Sequence, residues 1–510
     1  MIISLSVLVI TIIVSGTYAL YKAQLSKNIG VNTTTHGLAY YINYVKGTDI
    51  TAATLNPSTS YEGGASSDIE FWKKDDSYDI YGKIELTVNT IGTNLSNSPA
   101  LKYAVVNNGN VLKEGSLKGT TSGSKVTILK NLYLEQTKQI YTVYVWLDNS
   151  EELGNISNES LSISVDCTAS LQKEPTAADT IISLYTSAAK LTTTNNSITY
   201  NTAPSVSLMN DRLGGTTTDL DGGNIRYYGA NPNNYIYFNC SDYSNQTSST
   251  CETWRIIGVF DGKLKLIKSE SIGAYSWDNK DTSTGAENDT GKNDWTTARL
   301  MKLLNPSNYY KVDSNDNNLG QSLYYNSASG KCYSGQNNAT VDCDFTSTGI
   351  KNAETRNMIA ETTYNLGGWN SNSVYSNQIY EYERGTTVYS GRPTTWKGKI
   401  ALAYPSDYGY AADLNQCKDK TLYDYDNRTC TSNNWMKAII TNNGSNTGWL
   451  LTPRSGSSSN AWYVNSGGFV SRDSIAYVAY GAVPVLSLSS ELGIESGGDG
   501  SSSKPYKLSA

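Results

Sequence analysis

Apolar and polar residues alternate with a period of two in several short runs between residues 22 and 170. These are "KIELTVNTIG", "ALKYAVVN", "VTILKNLYL", "QIYTVYVWLD" and "LSISVDCTA". A period of two belongs to strands, and Asn, Gly and Ser turns separate the runs. In "IYTVYVWL", Ile140, Thr142, Tyr144 and Trp146 share one face. Tyr141, Val143, Val145 and Leu147 share the other. Apolar groups on both faces predict a central strand of a β-sandwich. The Asn-Gly of "VNNGNVL" predicts a tight hairpin.

The period changes after residue 170. "TAADTIISLYTSAAKL" spaces Ile181, Ile182, Leu184 and Tyr185 as a helix does, with Thr176 or Asp179 as the N-cap. A short helix and a Thr/Asn-rich linker are expected over 171–205. A second domain is expected over 206–490. Residues 235–239 should pair with 254–260, and Asp261-Gly262 should turn the chain into 263–268. Helices are expected in "DWTTARLMKLLNP", capped by Asp294 and stopped by Pro306, and in "ETRNMIAETTYNLGG", ending at Gly367-Gly368. "SNNWMKAIITNNG" predicts a third. Near the end, 465–468 should turn a hairpin, 472–480 should form a loop, and Pro484, Leu486 and Leu488 should share a strand face. Strands at both ends with helices between them predict an α+β domain. Residues 491–510 read as a terminal turn and strand.

Composition adds a setting. Of 510 residues only 17% are charged, the net charge is −6, and no Lys/Arg stripe occurs, so a nucleic-acid interface is excluded. The 39 Tyr against 5 Phe suit wet, β-rich surfaces. The run "IISLSVLVITIIVSGTYALY" is long enough for a signal peptide or membrane anchor over 1–21, with a cut expected after Ala19. The chain is therefore expected outside the cell or on its surface, touching membrane only through that segment.

The cysteines agree with export. Cys240 and Cys251, Cys332 and Cys343, and Cys417 and Cys430 form close pairs, each bracketing a polar loop. Three local disulfides are expected, with Cys167 left as a buried thiol. Zinc is excluded by that spacing and by a single histidine, His36. With no H-E-x-x-H and no G-x-S-x-G, no catalytic residue is expected. "DSNDNNLG" sets Asp313, Asn315 and Asn317 at the 1-3-5 spacing of a calcium loop. Asn318 replaces the sixth-position Gly and Tyr324 the twelfth-position Glu, so an Asn/Asp turn is the default and calcium the one possible cofactor.

"SGTYALYKAQLS", followed by "YTVYVWLDNSEELGNISNESLSISV", resembles the camelysin-like and biofilm-fibre matrix proteins of Gram-positive bacteria. The resemblance implies a "TYA" leader and a jelly-roll β-sandwich over 22–170. "YYGANPNNYIYFNCSDYSNQ", "CETWRIIGVFDGK", "GWLLTP" and "AWYVNSGG…YGAVPVLSL" are similar to a family of uncharacterised bacterial surface domains. Through that family the second half resembles the C-type-lectin-like fold of formylglycine-generating enzymes and retroelement variable proteins. Where the family reads Gly-Val-Arg-Pro, this chain has Gly481-Ala482-Val483-Pro484, so no role for that Arg carries over.

A contact surface is expected in "TNNGSNTGWLLTPRSGSSSNAWYVNSGG" and just beyond. Tyr, Ser, Gly and Asn with occasional Trp and Arg are the residues of adaptable binding surfaces. The candidate set is Arg454, Trp462, Tyr463, Arg472, Asp473, Tyr477 and Tyr480. For Trp462, as for Trp449 and Leu450, a core position is the favoured alternative. The expected function is ligand binding or adhesion through the second domain, with a glycan or a host or bacterial surface protein as partner. Alternatives are a self-assembling matrix fibre, a retroelement-diversified receptor, and an oxidase related to formylglycine-generating enzymes, which would need free thiols.

Overall fold

A computed structural model describes residues 23–24, 38–51, 55–151, 153–156, 159–195, 198–213, 222–243, 245–279, 290–311, 319–336, 338–417, 419–442 and 445–509. The N-terminal apolar run, His36 and the calcium-like spacing at Asp313, Asn315 and Asn317 lie outside them. Strand makes up 38% of the described residues and helix 16%, so the protein is β-rich. It divides into two compact units, Met1–Glu174 and Pro175–Ala510.

In the first unit, two sheets enclose one apolar core. The Ile140–Asp148 strand is central, paired antiparallel with Ala65–Lys73 on one side and Leu101–Asn107 on the other. Its Tyr141, Val143 and Val145 are buried in the shared core with Ile84, Leu86, Ile163 and Val165. Trp146, on the opposite face, is buried against Ala104 and Val106, with Tyr61 packed on the group. That explains why both faces of this strand are apolar. Asn108 and Gly109, at φ 49° and 76°, turn Leu101–Asn107 into Asn110–Ser116. Both φ values are positive, the conformation for which Asn-Gly is chosen in a two-residue hairpin. Cys167 lies in the core as a free thiol, and burial pushes its pKa up.

The second unit starts earlier than expected. Ala177–Ser187 is a helix whose Thr176 and Asp179 form a reciprocal capping box, burying Ile181 and Tyr185. Leu191–Asn195 then pairs with Ile198–Ala203, which pairs with Leu208–Asn210. The end of the stretch 171–205 is thus not a linker; Leu191–Asn195 and Ile198–Ala203 are outer strands of a nine-stranded sheet. The correction has a physical cause. Thr is β-branched and suits a pleat as well as a loop, and Tyr200, Thr202 and Ala203 are buried on Ile198–Ala203, the strand next to the edge. The expected hairpins are present: Tyr235–Phe238 pairs with Glu252–Phe260, which pairs with Lys263–Lys268. Lys263–Lys268 in turn pairs with Val485–Ser487, so the last strand of this sheet in chain order lies beside a central one.

Two expected helices are shorter than their apolar patterns. Asp294 accepts from the Thr296 amide and hydroxyl, heading a turn, and the helix is Arg299–Leu304. The second stops at Met358, and Thr362–Asn365 is a strand. Its β-branched Thr pair overrides the helical spacing. The third is Met436–Thr441. A five-stranded sheet runs in the order Ala274–Ser276, Ala479–Gly481, Gly448–Pro453, Asn460–Val464, Val470–Ile475. Residues 472–480 are therefore mostly strand, not one loop. Among the described residues no helix is long and apolar enough to cross a membrane.

Candidate binding face

The five-stranded sheet brings three of the expected residues together. Arg454 follows the Gly448–Pro453 strand, and Arg472 and Asp473 lie on Val470–Ile475. Asp473 accepts from Arg454 Nη1 at 2.5 Å and from Arg472 Nη1 at 2.9 Å. The loop after Gly368 locks both arginines. Arg454 Nε donates to Asn370 Oδ1 at 2.7 Å, and Arg472 Nε to the Asn370 carbonyl at 2.7 Å. Arg472 Nη1 also donates to Asn372 Oδ1 at 3.1 Å. Gly368 is required there, because a Cβ would meet the Pro453 carbonyl at 2.2 Å. The Nη2 group of each arginine makes no hydrogen bond among the described residues. The Asp473 side chain is 50% exposed. The face thus carries two guanidinium nitrogens without a hydrogen bond among the described residues, beside a carboxylate held in place.

Next to this clamp, Trp369 stacks on Tyr382 with centroids 3.9 Å apart and planes 8° from parallel. Both rings are half-buried. Trp369 bridges Arg454 through the backbone. Trp369, Asn370, Asn372 and Tyr382 escaped the sequence reading, which took Gly367-Gly368 as a helix end. The run "GGWNSNS", a Trp among small polar residues after two glycines, was the available signal.

The remaining expected residues divide. Tyr463 and Tyr480 are half-buried with centroids 5.4 Å apart, and both pack on buried Trp449. Burial raises the Tyr463 pKa, and Ser471 hydrogen-bonds its hydroxyl. Tyr477 accepts from Gln336 Nε2 at 3.1 Å, in a separate contact. Trp462 is a correction. It is fully buried in the core with Cys417, Cys430 and Val464, and cannot touch a ligand. On its strand it shares the inward face with Val464, while Tyr463 points the other way.

A second charged group was not foreseen. Arg226, Asp211, Asp407 and Lys265 are all buried. Arg226 Nε donates to Asp211 at 2.5 Å and its Nη1 to Asp407 Oδ1 at 3.2 Å. Lys265 Nζ donates to Asp407 Oδ2. Phe260, Tyr380 and Tyr410 surround the Arg226 guanidinium at 4.6, 5.5 and 4.7 Å. Burial lowers the Lys265 pKa. Burial alone would raise Asp407, but Lys265 and Arg226 hold it below its usual value. Glu383, buried nearby, accepts from the Ser406 amide and hydroxyl, and burial pushes it up to about 7.

Three disulfides join Cys240 to Cys251, Cys332 to Cys343 and Cys417 to Cys430. They indicate an oxidising, extracellular setting. Pairing of Cys332 with Cys343 removes the free thiols that the oxidase alternative needs there. Among the described residues no group of His, Cys, Asp and Glu could hold a metal.

No family model matches this chain, and no curated protein does. Among solved structures, "PBCV-1 virus capsid, quasi-atomic model" is 12% identical over 43% of this chain and 60% of that one, with a TM-score of 0.13. "Crystal structure of HCR/D F1240A mutant" is 12% identical over 51% and 76%, with a TM-score of 0.15. The chain spans 60% of the capsid chain's length. Superpositions this loose carry no weight for fold or function.

Proposed function

We propose that this is an exported bacterial surface protein that binds a glycan or a surface protein through its second unit. In this reading the first unit is a jelly roll and the second is C-type-lectin-like. The observation that carries it is the Arg454–Asp473–Arg472 clamp. Arg454 and Arg472 are held by Asn370, Asn372 and Asp473 with two guanidinium nitrogens unspent, beside the half-buried Trp369–Tyr382 stack. Donors fixed before binding lose little side-chain entropy when a ligand arrives. An aromatic pair next to planar donors and a carboxylate suits sugar hydroxyls, or an acidic or polar peptide. The test is a glycan and surface-protein array probed with the full chain. Arg454→Ala should weaken any captured ligand about tenfold or more, since hydrogen bonds to charged groups contribute about 1.5–3 kcal/mol.

A fibre-forming role has one observation of its own. The Asn110–Ser116 strand ends its sheet and exposes Val111 and Leu112 at 43% and 40%. An apolar, unpaired edge is a template for another chain. Concentration-dependent filaments that Val111→Lys abolishes would favour this reading.

A further inference from the structure

We infer that Lys265 and Asp407 condense into an intramolecular amide that staples the central strand of the second unit to the Pro405–Tyr410 helix. Three features of the site point to it.

The first is enclosure. The Lys265 side chain is 7% exposed and that of Asp407 is 1%. Phe260 and Tyr404 rings lie 5.0 and 4.6 Å from Nζ. A site walled in this way favours loss of water over hydrolysis. The second is positioning. Lys265 is fixed by a strand paired on both sides. Asp407 is fixed by a Pro-initiated helix, with its Oδ2 accepting from the Tyr404 amide at 3.0 Å. Reacting groups held so closely behave as if at very high concentration, with effective molarities of about 10⁵–10⁸ M for well-oriented pairs. The third is Arg226. Its Nη1 donates to Asp407 Oδ1, where charge accumulates as nitrogen attacks the carboxyl carbon. Asp211 balances the Arg226 charge, so the pair left to react is neutral overall.

The step balances without a co-reactant. A proton passes from Nζ to Oδ2 along their hydrogen bond, leaving an amine and a carboxylic acid. The nitrogen lone pair attacks Cγ, the Cγ–Oδ2 bond breaks, and a second nitrogen hydrogen leaves with that oxygen as water. One hydrogen stays on the amide. The product buries no charge at either residue, which removes the desolvation that a buried ion pair must overcome.

Contrast comes from Lys268. It meets Glu252 Oε2 at 2.6 Å, but the Glu252 side chain is 15% exposed, and among the described residues no arginine meets that carboxylate. It serves as the internal control.

The experiment is tryptic peptide mapping of the reduced full chain by mass spectrometry. An amide blocks cleavage after Lys265. Residues 264–268 should then appear joined to residues 400–418, at the summed mass less one water. Cleavage after Lys268 should be complete. Lys265→Arg should return 400–418 as a linear peptide. If that variant fails to fold, the map of the unsubstituted protein decides alone. Cleavage after Lys265 with linear 400–418 in full yield would overturn the inference and leave an ordinary ion pair.

Discussion

The second unit holds two arrangements of the same design, a carboxylate gripped by two cations. Asp407 lies between Arg226 and Lys265, and Asp473 lies between Arg454 and Arg472. The side-chain exposures are 1% for Asp407 and 50% for Asp473. Burial separates their roles. Inside, the side chains have left water, so each partner is obligatory, and the Lys265–Asp407 contact, ionic or covalent, fixes which strand meets which helix. Outside, water screens the pair, and the same hydrogen bonds serve to hold donors ready for something else. Similar chemistry is thus frame in one place and, on the proposed function, contact surface in the other.

The sharpest way to break this contrast is to delete both carboxylates in turn. Asp407→Ala strands Arg226 without one of its two partners and removes the Lys265 contact, and should cost about 3–5 kcal/mol in denaturant unfolding. Asp473→Ala should cost less than about 1 kcal/mol. Equal losses would show that burial does not divide the two.

The next largest effect concerns the loop pinned by Cys417 and Cys430. Cys417 and Cys430 are buried in the core that also holds Trp462. Replacing both by Ser should cost about 2–3 kcal/mol, as loop closure of this length predicts. The reduced protein should show the loss as a lowered Tm.

A smaller, pH-linked effect belongs to the buried side alone. Burial raises Glu383 to about 7 and Asp278 to about 6. In the folded chain these carboxyls keep protons that the unfolded chain has already released. Their contribution to stability is complete below the ordinary carboxyl range. It is lost as pH climbs through their folded values. Thermal melts should show Tm declining as pH rises from about 5 to about 8, and Glu383→Gln should flatten that decline. A Tm that climbs through this window in the unsubstituted protein, with no change in Glu383→Gln, would contradict the assignment.

Local chemistry was readable in the sequence and distant juxtaposition was not. Asn108-Gly109, Asp261-Gly262, the cap at Thr176 and the three cysteine pairs each act over a few residues, so their order along the chain carries the answer. The two-faced apolar pattern of Ile140–Asp148 was legible for the same reason, since its central position is written in its own alternation. The buried cluster joins residues 211, 226, 265 and 407, and the rim joins 370 and 372 to 454, 472 and 473. No period or spacing links such positions; only the sheet order does. Trp462 stood in the binding set with a core position as its favoured alternative, and its strand register turns it inward beside Val464. The Thr-rich 191–203 stretch misled in the opposite sense, reading as solvent-loving linker where β-branching made strands.

The central claim is that the exposed clamp is a contact surface and not a second piece of frame. One measurement bears on it most directly: binding of the full chain to a glycan and surface-protein array, side by side with Arg454→Ala and Arg472→Ala chains of checked Tm. The account predicts capture of a glycan or protein by the unsubstituted chain, lost in both variants while Tm stays within a few degrees. No capture on any panel, or capture that both variants retain, would contradict it.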